Sequence, residues 1–388
     1  MVQGPVTRLG PNEVVIEDLY GIRRSIGARS QYTKSNWYTS FRFDPQRDNL
    51  LTERDNKIHD RVRAKMKLGY SGQENLYLEE TVDLHLNEFA DLISAKYLCT
   101  SSVLRPLDLA QIVQYFTMDA ITHLAFGKEF GFLAEDGDVY EYVATIKSML
   151  PFMNVLSVFP RLHAILRSQL VKKLFLPSDK DSMGVGKIIG VAKSVIAERF
   201  KPDAKDQKDM LGSFVRHGLT QEELEPEVLL QIVAGSDTTA TAIRAVFLHL
   251  MTSPCAYSKI CAEIRAGSLS TPISEKEAKS LPYLQAVIRE GLRLWPPIAS
   301  AMFKLPPPGG DTIAGFRIPE GTKVGIAWYK VGRKREIYGE DADVFRPERW
   351  LEADAEKLER MERTNDLFFA PGRWGCLGKG LAILVLNK

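Results

Sequence analysis

The chain has 388 residues, 45% hydrophobic and 26% charged, the mix of a folded globular protein rather than a disordered or fibrous one. Its 51 basic and 49 acidic residues leave a net charge of +2, so nothing in the composition forms the electrostatic footprint of a nucleic-acid binder. The four cysteines, Cys99, Cys255, Cys261 and Cys376, contain no CxxC pair, and no two of the six histidines lie within five residues of each other or near a cysteine. That spacing argues against a disulfide framework and against a zinc finger or helical HxxxH site.

In chain order, residues 5–18 predict a short hairpin, with β-branched alternation on either side of Gly10-Pro11-Asn12. The N-terminus shows neither a charged region followed by an apolar one nor a spanning helix. Helical periodicity dominates from about Arg54 to about Leu294. Within it, Ser148–Pro160 (SMLPFMNVLSVFP) is the longest uncharged apolar stretch. It is too short to span a bilayer and is expected as a buried helix end and loop, in preference to an interfacial segment, which Arg161, Arg167, Lys172 and Lys173 would suit. GVGKIIG, Gly184–Gly190, fits GxGxxG, but it follows the charged LPSDKDSM and enters a helix with no parallel-sheet pattern around it, so a nucleotide site is not expected there.

Two capping boxes, Thr220-x-x-Glu223 and Ser274-x-x-Glu277, mark helix starts, and Pro254 and Pro282 sit at first-turn positions. The helix opened by Thr220 meets no strong stop before Ser253-Pro254 and should reach about 45 Å or more at 1.5 Å per residue. After Leu294 the texture turns to proline, glycine and β-branched residues, the signature of strands and turns. No repeat or linker divides the chain. The expectation is a mainly α protein with small β-sheet regions.

Three clusters carry chemistry. AGSDTT, Ala234–Thr239, interrupts the apolar pattern of the long helix at a cost in helix propensity. Besides a solvent-facing polar patch, it reads as a local widening that admits a small ligand, with Asp237 and Thr238 handling protons. Glu290 and Arg293 share a helix face, and no other glutamate in the chain has an arginine three positions on. With Arg349 of FRPERW, one carboxylate bridging two guanidinium forks would form a buried network that fixes the turn-rich segment before Cys376. In FFAPGRWGCLGKG, Phe368–Gly380, the glycines let backbone N–H groups turn toward one atom, and such a nest stabilises a thiolate fit to ligate iron.

AGSDTT, EGLR at 290–293, FRPERW and FAPGRWGCLG, in this order and spacing over nearly the whole chain, resemble the signature segments of the cytochrome P450 haem-thiolate monooxygenases. TERDNKIHDRVR, PPPGGDTI and GEDADVFRPERWLEAD resemble the fungal, normally microsomal branch that includes pisatin demethylase-like enzymes. The resemblance implies a single P450 domain over 1–388: an N-terminal β region with first helices at 1–50, a helical body at 51–300, and a meander with the haem loop at 301–388. It implies haem b bound by Cys376 as axial thiolate, Phe369 packed beside it, and Gly372 and Gly378 permitting the loop. Asp237 and Thr238 match the acid–alcohol pair that delivers protons, and Ala234 and Gly235 give space over the haem. Glu290, Arg293 and Arg349 are structural. His59 and Arg63 match the positions that clamp a haem propionate, against the alternative of a solvated basic helix face, and Lys304 is a further propionate candidate.

The family's arginine two residues before the cysteine is here Trp374, which shifts the arginine to Arg373. Implied partners are an apolar organic substrate, dioxygen, an NADPH-cytochrome P450 reductase and a peripheral membrane contact. The implied location is the cytosolic face of the endoplasmic reticulum, or the cytoplasm for a chain without an anchor. Both ends look clipped relative to the family, with twelve residues after Cys376 (388 minus 376). The expected activity is oxygen insertion, by hydroxylation or demethylation, in secondary metabolism or detoxification. The rivals are a truncated, non-catalytic haem-binding remnant, a haem-dependent isomerase or dehydratase, and, last, a nicotinamide dehydrogenase.

Overall fold

Asp18, Asp55, Asp108 and Asp354 each open a helix in the computed structural model, which describes residues 4–44, 47–159 and 178–388. In each case the carboxylate accepts a first-turn backbone N–H that has no partner inside the helix. Among the described residues the α-helices of five or more residues are α1 (Leu19–Ile26), α2 (Asn56–Met66), α3 (Leu78–Leu92), α4 (Leu109–Phe126), α5 (Tyr142–Val158), α6 (Gly184–Arg199), α7 (Met210–Arg216), α8 (Gln221–Met251), α9 (Pro254–Ala266), α10 (Glu275–Lys279), α11 (Pro282–Leu294), α12 (Ala355–Asn365) and α13 (Lys379–Asn387). The strands are β1 (Val6–Gly10), β2 (Glu13–Ile16), β3 (Thr33–Lys34), β4 (Lys304–Leu305), β5 (Asp311–Ile313), β6 (Phe316–Ile318) and β7 (Lys323–Ile326). The protein is mainly α with small sheets.

Both capping boxes are formed. Glu223 N–H donates to the Thr220 hydroxyl at 3.2 Å while the Glu223 carboxylate accepts from Thr220 N–H at 3.1 Å. Ser274 and Glu277 do the same at the start of α10. Pro254 and Pro282 occupy first-turn positions of α9 and α11, where no N–H is needed.

The chain divides into two compact units, Asn36–Asp237 and Met1–Ser35 with Thr238–Lys388. The second holds every strand among the described residues. Its five-stranded sheet has the order β1-β2-β7-β4-β3, and β5 and β6 form a separate hairpin. The β1–β2 hairpin turns at Pro11-Asn12, and β2 pairs in parallel with β7 through Val14 to Val324 and Ile16 to Ile326. Beneath lie Ile16, Ile22, Ile26, Val324, Ile326, Trp328 and Leu367, all buried, with Phe368, Ala370 and Trp374 packed against them. The segment leading to Cys376 therefore rests on the core of the sheet.

In the Asn36–Asp237 unit, α4 is buried on nearly every side from Ile112 to Phe126, as a central helix must be. The first part of α8 belongs here, and its Pro226 cannot donate to the Glu222 carbonyl four residues back. The Arg47 guanidinium takes that place at 3.1 Å and also pairs with Glu225 at 3.1 Å. One side chain thus repairs the helix where proline breaks its ladder.

Two expectations are corrected here. Ser148–Phe159 is more helical and less buried than expected: α5 runs through Pro151 and ends at Val158, burying Met153 and Leu156 while Phe152, Val155, Val158 and Phe159 stay exposed. Arg161, Arg167, Lys172 and Lys173 lie outside the described residues. The widening expected at AGSDTT is also absent, since α8 is a continuous α-helix of 31 residues, about 46 Å long at 1.5 Å per residue. The Ser236 hydroxyl donates back to the Ile232 carbonyl at 2.8 Å, which accommodates the polar residue without opening the turn. GVGKIIG forms the start of α6, and the described residues that lead into it, Ser178–Met183, form no strand. A Cβ on Gly186 would lie 2.3 Å from the Ser178 carbonyl and one on Gly190 2.4 Å from that of Asp179, so these glycines let the chain at 178–181 lie on the helix.

Candidate active site

The Glu290 carboxylate, fully buried on α11, receives five hydrogen bonds. Arg293 donates Nε and Nη2 at 2.7 Å each, Arg349 Nε at 2.8 Å, the Trp350 indole at 2.9 Å, and the Arg346 backbone N–H at 2.9 Å. Both guanidiniums are also fully buried and donate to carbonyls, Arg293 to Gly332, Ala342 and Val344, Arg349 to Tyr338, Asp341 and Val344, and Arg349 pairs with the Asp341 carboxylate as well, at 2.9 Å. Three buried charges thereby satisfy the turn-rich segment between Gly332 and Arg349, whose own backbone has few regular partners. Burial alone raises the Glu290 carboxyl, but the bonds and charges of Arg293 and Arg349 outweigh it and hold the group below its ordinary value. The indole of Trp350 and the Arg346 amide were not foreseen: neither stands at a helical spacing from Glu290.

The Cys376 loop hangs from this framework. Phe369 packs on the cluster of Ala242 from α8 with Ile288 and Leu292 from α11, against which Ile383 and Leu386 of α13 also pack. Ala370 (φ +49°) and Gly372 (φ +75°) turn the chain left-handed, and Cys376 N–H closes the loop onto the Phe369 carbonyl at 2.8 Å. Gly378 then caps α13. The Cys376 side chain is exposed. At Gly372 a Cβ would lie 2.3 Å from both the Cα and the N of Ala28. Gly372→Ala is accordingly expected to cost about 1–3 kcal/mol from overpacking, with further strain from the positive φ. Thermal unfolding would check this, and a variant as stable as the parent would show that the loop can move away from Ala28.

Beside the loop, Trp374 packs against two buried lysines that are cross-strand partners on β3 and β4. Lys304 Nζ stands 3.9 Å and Lys34 Nζ 4.7 Å from the indole centroid. Burial, with Lys34 alongside, pushes the Lys304 ammonium well below its ordinary range. Arg373 is farther, its guanidinium carbon 5.9 Å from the same ring. Where the resemblance expects an arginine, the chain has an aromatic side chain packed against two lysines. Lys34 was missed in the sequence, because a two-residue strand carries no motif to mark it.

Lys304, Thr238, Glu290, Arg293, Arg349, Phe369, Gly372, Arg373, Cys376 and Gly378 thus belong to one unit, and His59, Arg63, Ala234, Gly235 and Asp237 to the other. In the latter, His59 and Arg63 stand one turn apart on α2. His59 is only 2% exposed, with Nδ1 3.1 Å from the Asp60 carboxylate, so it is not part of a solvated basic face. Ala234 is exposed, whereas the room made by Gly235 is filled by Ile121, whose Cγ1 would lie 2.5 Å from an added Cβ. Asp237 neighbours the buried Tyr142 phenol, which burial first and the Asp237 charge second push upward.

A cysteine loop closed on its own backbone, a buried Glu–Arg–Arg network below it and a long helix bearing an acid–alcohol pair are features of a haem-thiolate enzyme. The family description "Cytochrome P450" matches residues 7–387, and the chain belongs to that family. It is similar to cytochrome P450 monooxygenase ABA1 of Pyricularia oryzae, 46% identical over 389 residues that cover 98% of this chain and 76% of that one. It is also similar to monooxygenase aba1 of Botryotinia fuckeliana, at 39% identity with 99% and 77% covered, and to monooxygenase abl1 of Leptosphaeria maculans, at 35% with 99% and 69%. The protein is a cytochrome P450 monooxygenase. Among the described residues no helix is long and apolar enough to cross a membrane.

Proposed function

We propose that the chain hydroxylates or demethylates an apolar small molecule of fungal secondary metabolism, using haem b ligated by Cys376 and electrons from NADPH through a P450 reductase. The observation that carries this reading is the exposed Cys376 on a loop closed by its own N–H and gripped by Phe369. The residues fit haem: within one unit Cys376 offers a thiol for the iron and Lys304 and Arg373 offer donors for a propionate, and the resemblance assigns His59 and Arg63 of the other unit to the same group. A carboxylate brought beside Lys304 would offset the burial that depresses its basicity, so a propionate suits that site. Haem, when bound, supplies the redox chemistry that activates dioxygen and inserts one of its atoms into the substrate.

The chain's own groups position and protonate. The Thr238 hydroxyl holds a proton, and the Asp237 carboxyl on the same turn of α8 resupplies it. Ala234 leaves a small side chain on the exposed side of that turn. Glu290, Arg293 and Arg349 keep the cysteine loop in register. The exposed Phe152, Val155 and Val158 of α5, with Phe159 just past its end, are consistent with a peripheral contact on the cytosolic face of the endoplasmic reticulum.

The test is the spectrum of the purified chain, supplied with haem, reduced with dithionite and exposed to CO. A strongly red-shifted Soret band is expected of a thiolate ligand. An unshifted band or no haem uptake would overturn the reading and favour a remnant without turnover. Thr238→Ala is expected to lower product per NADPH consumed about tenfold, below the ~10²–10⁴ of general acid–base help because water partly replaces the hydroxyl. Peroxide release should rise with it, and unchanged coupling would remove Thr238 from the proton route.

A further inference from the structure

His85 and His123 are 38 positions apart and share no motif, yet the fold sets His85 Nε2 3.0 Å from His123 Nδ1. His85 stands on α3 and is fully buried, while His123 lies in the last turn of α4 and is about a quarter exposed. Just beyond α4, Glu129 places a carboxylate oxygen 3.6 Å from the same His123 nitrogen. The three ligand atoms lie within 4.8 Å of one another. All belong to the Asn36–Asp237 unit, and none belongs to the residues assigned to haem.

We propose that His85, His123 and Glu129 form a divalent transition-metal site, best suited to zinc. Two imidazoles and a carboxylate form a set that zinc accepts, with bonds of about 2.0–2.2 Å, for which a tetrahedral edge is roughly 3.3 Å. The two separations at His123 Nδ1, 3.0 and 3.6 Å, need to change by only a few tenths of an ångström, and the remaining one, from His85 to the Glu129 carboxylate, lies within 4.8 Å and closes by rotation of the exposed Glu129 side chain. The fourth position falls to water, which the exposure of Glu129 allows.

The surroundings are arranged as a ligand requires. Glu88, one turn after His85 on α3, lies 2.7 Å from His85 Nδ1. A carboxylate only accepts, so Nδ1 carries the proton and Nε2 presents its lone pair toward His123. A carboxylate behind a histidine in this way fixes the ring and raises its basicity. Without the ion, His123 donates its Nδ1 proton to His85; with it, the ion takes that place and His123 carries its proton on Nε2, so no proton is released. The loop that bears Glu129 is held as well. It leaves α4 at Gly127 (φ +74°), and the buried Asp119 carboxylate accepts from Gly131 N–H at 2.8 Å, Phe132 N–H at 3.1 Å and Leu133 N–H at 2.8 Å. An ion here would tie α3, α4 and that loop together.

The test is a zinc titration of the full chain as purified, stripped with EDTA, dialysed at pH 7.5, and read by competition with a chromophoric chelator. One equivalent should bind and raise the unfolding temperature. His123→Ala should weaken binding about 100-fold or more, and Glu88→Gln about tenfold, in the range of lost second-sphere support. Glu129→Ala removes an exposed side chain and should fold normally while losing affinity about tenfold. Substoichiometric uptake by the parent chain would overturn the proposal. So would affinity unchanged in both His123→Ala and Glu129→Ala, which would place the zinc on exposed thiols such as Cys99 or Cys255.

Discussion

Glu290→Ala is expected to cost at least about 3–5 kcal/mol, the range for removing one partner of a buried ion pair. The fully buried Arg293 would lose its carboxylate partner and Arg349 one of its two, the other being Asp341, while the Trp350 indole and the Arg346 amide would lose their acceptor. Against a total stability of roughly 5–15 kcal/mol, that leaves little or no folded protein. Glu290→Gln keeps the shape but turns an amide NH₂ toward a guanidinium, so it should also destabilise strongly. Denaturant unfolding followed by circular dichroism measures both. A midpoint within experimental error of the parent would show that water or Asp341 takes over the two arginines.

The same network sets an acid limit. Glu290 is held below its ordinary value, and Asp341, paired with Arg349 and Arg346, is brought down to about 2 despite the upward push of burial. A carboxylate whose folded value is depressed contributes stability that is fully present above its unfolded value, ~3.9 for Asp and ~4.3 for Glu, and lost as pH falls through the folded one. Stability should therefore hold down to about pH 4.5 and drain away toward pH 2.

Cys376→Ala is expected to abolish the red-shifted ferrous-CO band and turnover while leaving the circular dichroism spectrum intact. The side chain is exposed, so its removal opens no cavity, and the loop is closed by the backbone bond to Phe369 rather than by the sulfur. Losing the ligand thus separates function from folding. Cys255→Ala, at an equally exposed thiol on α9, should change nothing and serves as the control. A Cys376→Ala protein with the parent's CO spectrum would move the iron ligand elsewhere.

Much of the fold was legible because it is local. Caps at Thr220 and Ser274, first-turn prolines at 254 and 282, and the pairing of Glu290 with Arg293 depend on residues three or four apart, which sequence displays directly. AGSDTT misled for a related reason. Its propensity cost was read as an opening of the helix, but Ile121 from another helix fills the gap beside Gly235, and a back-bonded Ser236 keeps the turn closed. Propensity records the cost of a residue and not which neighbour offsets it.

By itself, then, the sequence determined the helix starts at Thr220, Pro254, Ser274 and Pro282, the hairpin, the Glu290–Arg293–Arg349 set and the family's order of motifs. Only the tertiary structure decided that Trp350 completes the Glu290 shell, that Arg47 replaces the bond Pro226 cannot make, and that Lys34 and Lys304 pack against Trp374. It also brought His85 to His123, although histidine spacing had argued against any zinc site. These contacts join residues tens to hundreds of positions apart. No helical or strand period links such residues, so their meeting is set by how the elements pack.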